Sequence, residues 1–212
     1  MNIIKPKIFE LKPIKGIQRI IQISKEELDI KEYAFENEEE SYIDIEKAYI
    51  SNCKFHNCKC IDSQFNKTSF TDVVFENCDF SNSNFNEANF VRVEFLNCKL
   101  VGCDFSESNL YNVKIKESNL AYANMAMANI RNIKIEKSNL SNISLNESRL
   151  NNVEFQEDNF YNAQLFKINL NKIDFSDCDI TGIIVDTNYI KGMIVNEFQA
   201  LELSKLLGII IK

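Results

Sequence analysis

The chain has 212 residues, is 45% hydrophobic and 26% charged, and carries 31 acidic against 24 basic side chains for a net charge of −7. These values exclude a disordered or collagen-like chain, and the acidic balance argues against nucleic acid as a direct ligand, because phosphate binding needs clustered Lys and Arg. There are 16 Phe and seven Cys but only two Pro and five Gly, so the usual turn-forming residues are scarce.

Residues 1–42 form a first segment, expected to cap the start of the next one. It holds both prolines, Pro6 and Pro13, an acidic run from Glu36 to Glu40 broken only by Asn37, and scattered apolar residues such as Ile3, Ile8, Phe9 and Leu11. Lys and Pro interrupt residues 1–16 too often for a signal peptide, and no run reaches the 18 to 20 apolar residues of a membrane span. The cytoplasm is the expected compartment, and an odd number of Cys fits reduced thiols better than a disulfide framework.

Residues 43–195 carry the dominant signal. From Ile45 to Val195 every fifth residue is apolar, 31 positions in succession, and twelve of the Phe lie in this phase. The residue two before each centre is usually small or β-branched, as in Cys58, Ser63, Thr68, Val73 and Ala88. Side chains alternate along an extended backbone, so centre and small residue face the same, inner side. Polar residues surround each centre, notably Asn84, Asn89, Asn109, Asn119 and Asn124. Asn tolerates left-handed backbone and bonds locally, so it can turn corners in place of Gly and Pro. A longer period of 20 appears in Val73, Val93, Val113, Ile133, Val153 and Ile173. Twenty is four fives, which predicts a square coil with four short strands per turn and about 37 Å of rod at the spacing of parallel strands.

Segments such as Ala88-Asn89-Phe90, Ser108-Asn109-Leu110 and Ser138-Asn139-Leu140 resemble the A(D/N)LXX unit of pentapeptide-repeat proteins. The resemblance covers about three quarters of the chain and implies an all-β solenoid, a right-handed quadrilateral β-helix with a C-terminal capping α-helix. Resemblance to the mycobacterial-type and Qnr-type quinolone-resistance members implies a DNA mimic that binds DNA gyrase or topoisomerase IV. The unbroken register is closer to the loop-less type, for which inhibition of gyrase is the expectation.

Residues 196–212 are read as a helix and dimerising tail. Asn196 and Gln199 make a capping box, and Gly208 follows as a stop. Phe198, Ala200, Leu201, Leu203, Leu206 and Leu207 spread around the helix, so it is expected to be buried on more than one side. One face closes the coil. Phe198, Leu201, Leu203, Leu206, Leu207, Ile209 and Ile211 are the expected interface of a two-fold homodimer, a tail that also resembles that of several family members.

Cys53, His56, Cys58 and Cys60 are dense enough to suggest zinc, but the phase turns the three Cys inward and His56 outward, so neither metal nor cofactor is expected. No nucleophile–base pair or phosphate loop is evident, which points away from an enzyme. The surface remains. The side carrying Phe65, Phe85 and Phe105 presents Asp44, Glu46, Glu87, Asp104, Glu107, Glu147 and Asp186, the expected partner-binding acidic face. The opposite side is also acidic, and the side carrying Phe70 and Phe90 is basic. The alternative is a scaffold or interaction module that binds through Ala121, Tyr122, Ala126, Met127, Tyr161 and Phe166. Asp158 falls at an inward position, where it either bonds a backbone amide or stays half-exposed.

Overall fold

A computed structural model of the chain describes residues 3–16, 29–206 and 208–210. Three short strands, β1 (Lys12–Ile14), β2 (Asp29–Lys31) and β3 (Tyr33–Glu36), precede six strands of eight residues each. These are β4 (Tyr49–His56), β5 (Ser69–Glu76), β6 (Asn89–Leu96), β7 (Asn109–Lys116), β8 (Asn129–Glu136) and β9 (Arg149–Gln156). Two-residue strands β10 (Gln164–Leu165) and β11 (Ile184–Val185) and helix α1 (Glu197–Leu206) complete the order among the described residues.

All pairing is parallel, and from β3 onward each strand pairs with the residue 20 further on, as in Phe35 with Phe55 and Phe55 with Phe75. Isolated bridges keep the same offset on the other two sides, for example Gln64 with Asn84 and Lys99 with Asn119. The chain is therefore a parallel β-solenoid with four five-residue sides per turn. Its register operates before residue 43: Ile30 and Phe35 are buried in phase and pair into β4. Glu40, a polar residue in the same phase, hides this start from a search for apolar periodicity.

The core is one continuous cluster of the centres and the small residues before them. Phe rings stack along the axis: Phe65, Phe85 and Phe105 lie with centroids 5.0 and 4.9 Å apart and planes within 7°. The ring spacing equals the turn spacing, so each Phe meets its counterpart one turn away in an offset stack. Several buried small polar residues are satisfied by the backbone, although the Ser148 hydroxyl is not. The Ser83 hydroxyl donates to the Cys60 carbonyl at 2.8 Å, the Cys103 thiol to Phe80 at 2.9 Å and the Cys78 thiol to Phe55 at 3.4 Å. Ser and Cys fit here because each fills a small volume and brings a donor for a carbonyl that points inward.

The corners differ from the sequence expectation. The left-handed residue is the second after each centre, whatever its type: every fifth residue from Glu32 to Lys172 has positive φ, including Lys67, Tyr122 and Met127. The Asn before the centre acts instead through its side chain. Asn84 Oδ1 accepts from the Asn86 amide at 2.8 Å and Asn124 Oδ1 from the Ala126 amide at 3.1 Å, each an Asx turn that braces the corner. Where the corner is tight, the centre's carbonyl also accepts from the amide three residues on, as between Phe80 and Ser83 at 2.9 Å. With positive φ at the third residue this is the pattern of a type II turn.

Candidate interaction surface

The seven acids expected to form one face fall on one side of the coil in its register, and two of them are ion-paired. Glu87 pairs with Lys67 at 3.3 Å and Glu147 with Lys167 at 3.0 Å, each one turn apart. Asp104 Oδ1 accepts from the Ser106 amide at 2.9 Å and from Asn124 Nδ2 at 3.0 Å. Asp186 is held by the Asn188 amide at 2.9 Å. Asp44, Glu46 and Glu107 make no ion pair among the described residues.

The opposite side is more fully neutralised. Lys54 meets Glu76 at 2.8 Å, with His56 Nδ1 3.2 Å from the same carboxylate. Lys114, Glu136, Lys134 and Glu154 form a chain of contacts between 2.9 and 3.2 Å. Lys54 holds the Glu76 carboxyl below the usual range, and for Glu136 the two lysines outweigh the opposing effect of burial. A stacked coil brings residues 20 and 22 apart into contact, so opposite charges laid down at that spacing become braces between turns.

Exposed apolar side chains frame the first side. Tyr122 and Met127 stand at its two corners on one turn, with Tyr161 and Phe166 about two turns further along; all four are exposed. Ala121, expected at the surface, is buried, and Ala126 is half-buried. Between the corners lies a floor of short polar side chains, Asn124, Ser144, Asn146 and Gln164, with Asn146 Nδ2 donating to Gln164 Oε1 at 3.1 Å. Lys167 Nζ sits 5.7 Å from the Phe166 ring centroid, adding a cation at the rim.

Residues 48–125 match the family described as pentapeptide repeat region, and the five-residue side observed in the structure is its unit. Over that stretch the parallel β-solenoid matches the pentapeptide-repeat family. It is similar to a trypsin-treated form of QnrB1, a plasmid-mediated fluoroquinolone resistance protein, with 21% identity over 88% of this chain and 98% of that one and a TM-score of 0.44. It is also similar to HetL, a pentapeptide-repeat protein involved in heterocyst differentiation regulation from the cyanobacterium Nostoc sp. strain PCC 7120, with 14% identity over 86% and 94% of the chains and a TM-score of 0.35. No curated protein sequence matches the chain.

The solenoid's C-terminal end is closed by an unexpected residue. Asn196 and Gln199 form the capping box, exchanging bonds of 2.8 and 3.0 Å. Gln199 is also buried and donates through Nε2 to the carbonyls of Phe175 and Cys178 at 2.8 and 2.7 Å. Leu203 packs beside the core, whereas Phe198, Leu201, Leu206 and Ile209 are exposed. Only one face of α1 is covered in the single chain. Leu207 and Ile211, the remaining residues of the expected interface, lie outside the described residues.

Inside the solenoid Cys53, Cys58 and Cys60 are buried, and His56 faces out. Burial pushes the Cys53 thiol up to about 11 and the Cys103 thiol to about 12. Among the described residues no group of three or more His, Cys, Asp or Glu is arranged to hold a metal, and no helix is long and apolar enough to cross a membrane. A surface groove of about 500 Å³ runs past Asn77, Asn97, Glu117 and Lys137, with the buried Cys78, Cys98 and Ser118 at its base.

Asp158 settles on the buried alternative. It is 2% exposed, accepting the Ser138 amide on Oδ1 at 2.8 Å and the Gln156 amide on Oδ2 at 3.0 Å. Ser118 and Ser138 occupy the same column two turns and one turn earlier, and each accepts from the amide one turn before it. Burial raises the Asp158 carboxyl to about 7 despite the two amides, which act in the opposite direction.

Proposed function

We propose that the chain is a non-enzymatic protein-binding rod whose contact surface is the side framed by Tyr122, Met127, Tyr161 and Phe166. The observation that carries this reading is the arrangement itself: exposed aromatic and Met side chains bordering a flat floor of amides and hydroxyls. Such a floor offers donors and acceptors at each turn, and the rim offers apolar area to bury, the two ingredients of a protein interface. A photo-crosslinking side chain at Tyr122 should give a defined adduct in cells, and the same group at Glu94 on the opposite side should not. Equal yields at both positions would refute the surface.

A second reading, favoured by Asp44, Glu46 and Glu107 on the same side, is competition with duplex DNA for the basic DNA-binding saddle of DNA gyrase or topoisomerase IV. We place two chains end to end through Phe198, Leu201, Leu206 and Ile209, giving a homodimer about 75 Å long, the length of roughly 20 base pairs. Seven free cysteines suit a reducing cytoplasm as the setting. A supercoiling assay in low salt separates the readings. Inhibition lost on changing Asp104 and Glu107 to Lys supports mimicry. Inhibition lost only with Tyr122→Ser and Phe166→Ser supports the apolar rim, and no inhibition at tens of micromolar discards the topoisomerase. Light scattering that shows a monomer at micromolar concentration removes the dimer.

A further inference from the structure

Residues 3–11 run outside the solenoid, lengthwise along one corner row. The Lys12 amide donates to the Glu32 carbonyl at 2.8 Å, the Phe9 amide to Asn52 Oδ1 at 2.9 Å and the Lys7 amide to Asp72 Oδ1 at 2.9 Å. Glu32, Asn52 and Asp72 occupy the same corner on successive turns, so the arm climbs one turn for every two or three residues. Burial marks how far the cover extends. In this row Asn52 and Asn112 are buried and Asn152 is exposed, whereas Asn77 and Asn97 at the next corner are both exposed. Ile3, Pro6 and Ile8 of the arm are half-buried, while Ile4 and Phe9 point to solvent.

Side chains of the row also brace one another. Arg92 grips Asp72 through two bonds of 2.6 Å, from Nε to Oδ1 and from Nη2 to Oδ2, fixing the carboxylate that receives the Lys7 amide. A receptor already in its bound geometry loses little freedom on binding. The contacts read main-chain N–H groups, so they recognise extended backbone in preference to particular side chains. Charge adds little to the selection, because Asp72 is already paired with Arg92 and this side of the coil is basic.

We propose that the corner row of Asn52, Asp72, Arg92 and Asn112 is a binding groove for an extended polypeptide segment that presents free main-chain N–H groups, with residues 3–11 as its built-in ligand, displaced by a partner segment of the same backbone chemistry. This surface is separate from the amide-floored side. The tether makes the arm a strong competitor. At an effective concentration of about 1 mM it weakens a free segment with an intrinsic Kd of about 50 µM by about 20-fold. A partner therefore gains access when it is itself anchored nearby, or when the arm is cut or modified.

The probe is a labelled synthetic peptide of residues 3–14, titrated by fluorescence anisotropy against the full-length chain. Lys7→Pro with Phe9→Pro removes both donor amides from the resident arm and leaves the groove intact; an unchanged thermal melt reports the coil. This variant should bind the peptide at least tenfold more tightly than the wild type. Adding Asp72→Ala and Asn52→Ala should abolish the gain. Hydrogen exchange in the wild type should show both arm amides protected. Exchange of the Lys7 and Phe9 amides at random-coil rates, absence of saturable binding to the released-arm variant at 1 mM peptide, or binding indifferent to Asp72→Ala and Asn52→Ala would each overturn the proposal.

Discussion

The side-chain amide of Gln199 donates to the main-chain carbonyl of Phe175 at 2.8 Å, and through that bond a polar residue plugs an apolar core. A solenoid's last turn presents carbonyls with no following turn to receive from. Gln199 serves two of them while its own oxygen accepts from the Asn196 amide at 2.8 Å, so one side chain ends the coil and starts the helix.

Gln199→Ala should therefore lower stability by about 2–3 kcal/mol, since it takes the side-chain donor from the Cys178 carbonyl, leaves the Phe175 carbonyl only the Cys178 amide at 2.9 Å and removes half of the capping box. Asn196→Ala should cost about 1 kcal/mol. Urea unfolding followed by circular dichroism checks both, and equal small effects would show that the plug is dispensable.

Asp158 should make stability fall as pH rises. Its folded-state value is raised to about 7, above the 3.8 of a free carboxyl, so between these values the folded chain holds a proton that the unfolded chain has lost. The stability contributed by that proton is fully present below about pH 4 and is lost as pH climbs through 7. Asp158→Ser copies Ser118 and Ser138 of the same column; it should raise the melting temperature at pH 8, by roughly 1–3 kcal/mol in unfolding free energy, and change little at pH 5. A variant with the wild-type pH profile would show that Asp158 titrates normally.

The corner phase predicts a sharp residue preference. From Glu32 to Gly182 no residue in that phase is β-branched, and Thr187, the first that is, does not adopt positive φ. Met127 has φ of 58° and an exposed side chain, so substitutions there test the backbone alone. Met127→Val should cost about 1–2 kcal/mol, and Met127→Asn should be neutral or stabilising. Equal melting temperatures for the two would contradict the left-handed corner.

Phe85 is stacked on both sides, 5.0 Å from Phe65 and 4.9 Å from Phe105. Phe85→Ala should cost about 3–5 kcal/mol, because the turns above and below cannot close the gap without breaking the backbone ladder. Phe85→Leu, matching Leu110 and Leu120 in the same repeat phase, should cost less than half as much. Calorimetric unfolding distinguishes them.

Much of this was legible in the amino acids because a five-residue period leaves few physical solutions. Apolar centres and small neighbours such as Cys58 and Val73 had to point inward, and the 20-residue recurrence gave the number of sides. Asn196 and Gln199 announced the helix start. Their burial and second set of partners were not announced, since a capping box reads the same whether or not a core lies beneath it. The seven acids did share a side, yet Glu87 and Glu147 turned out to be partnered by Lys67 and Lys167, residues a full turn away.

Sequence by itself determined the coil, its four sides and its inward column, since burial follows from alternation along the backbone and needs no knowledge of neighbours. Tertiary structure decided what depends on stacking: which charges cancel across 20 residues, that Asp158 is enclosed between two amides, that Gln199 seals the end and that residues 3–11 lie along the Asn52–Asp72 corner. Each joins groups distant along the chain, and their energies depend on separations of a few ångströms that only the folded stack fixes.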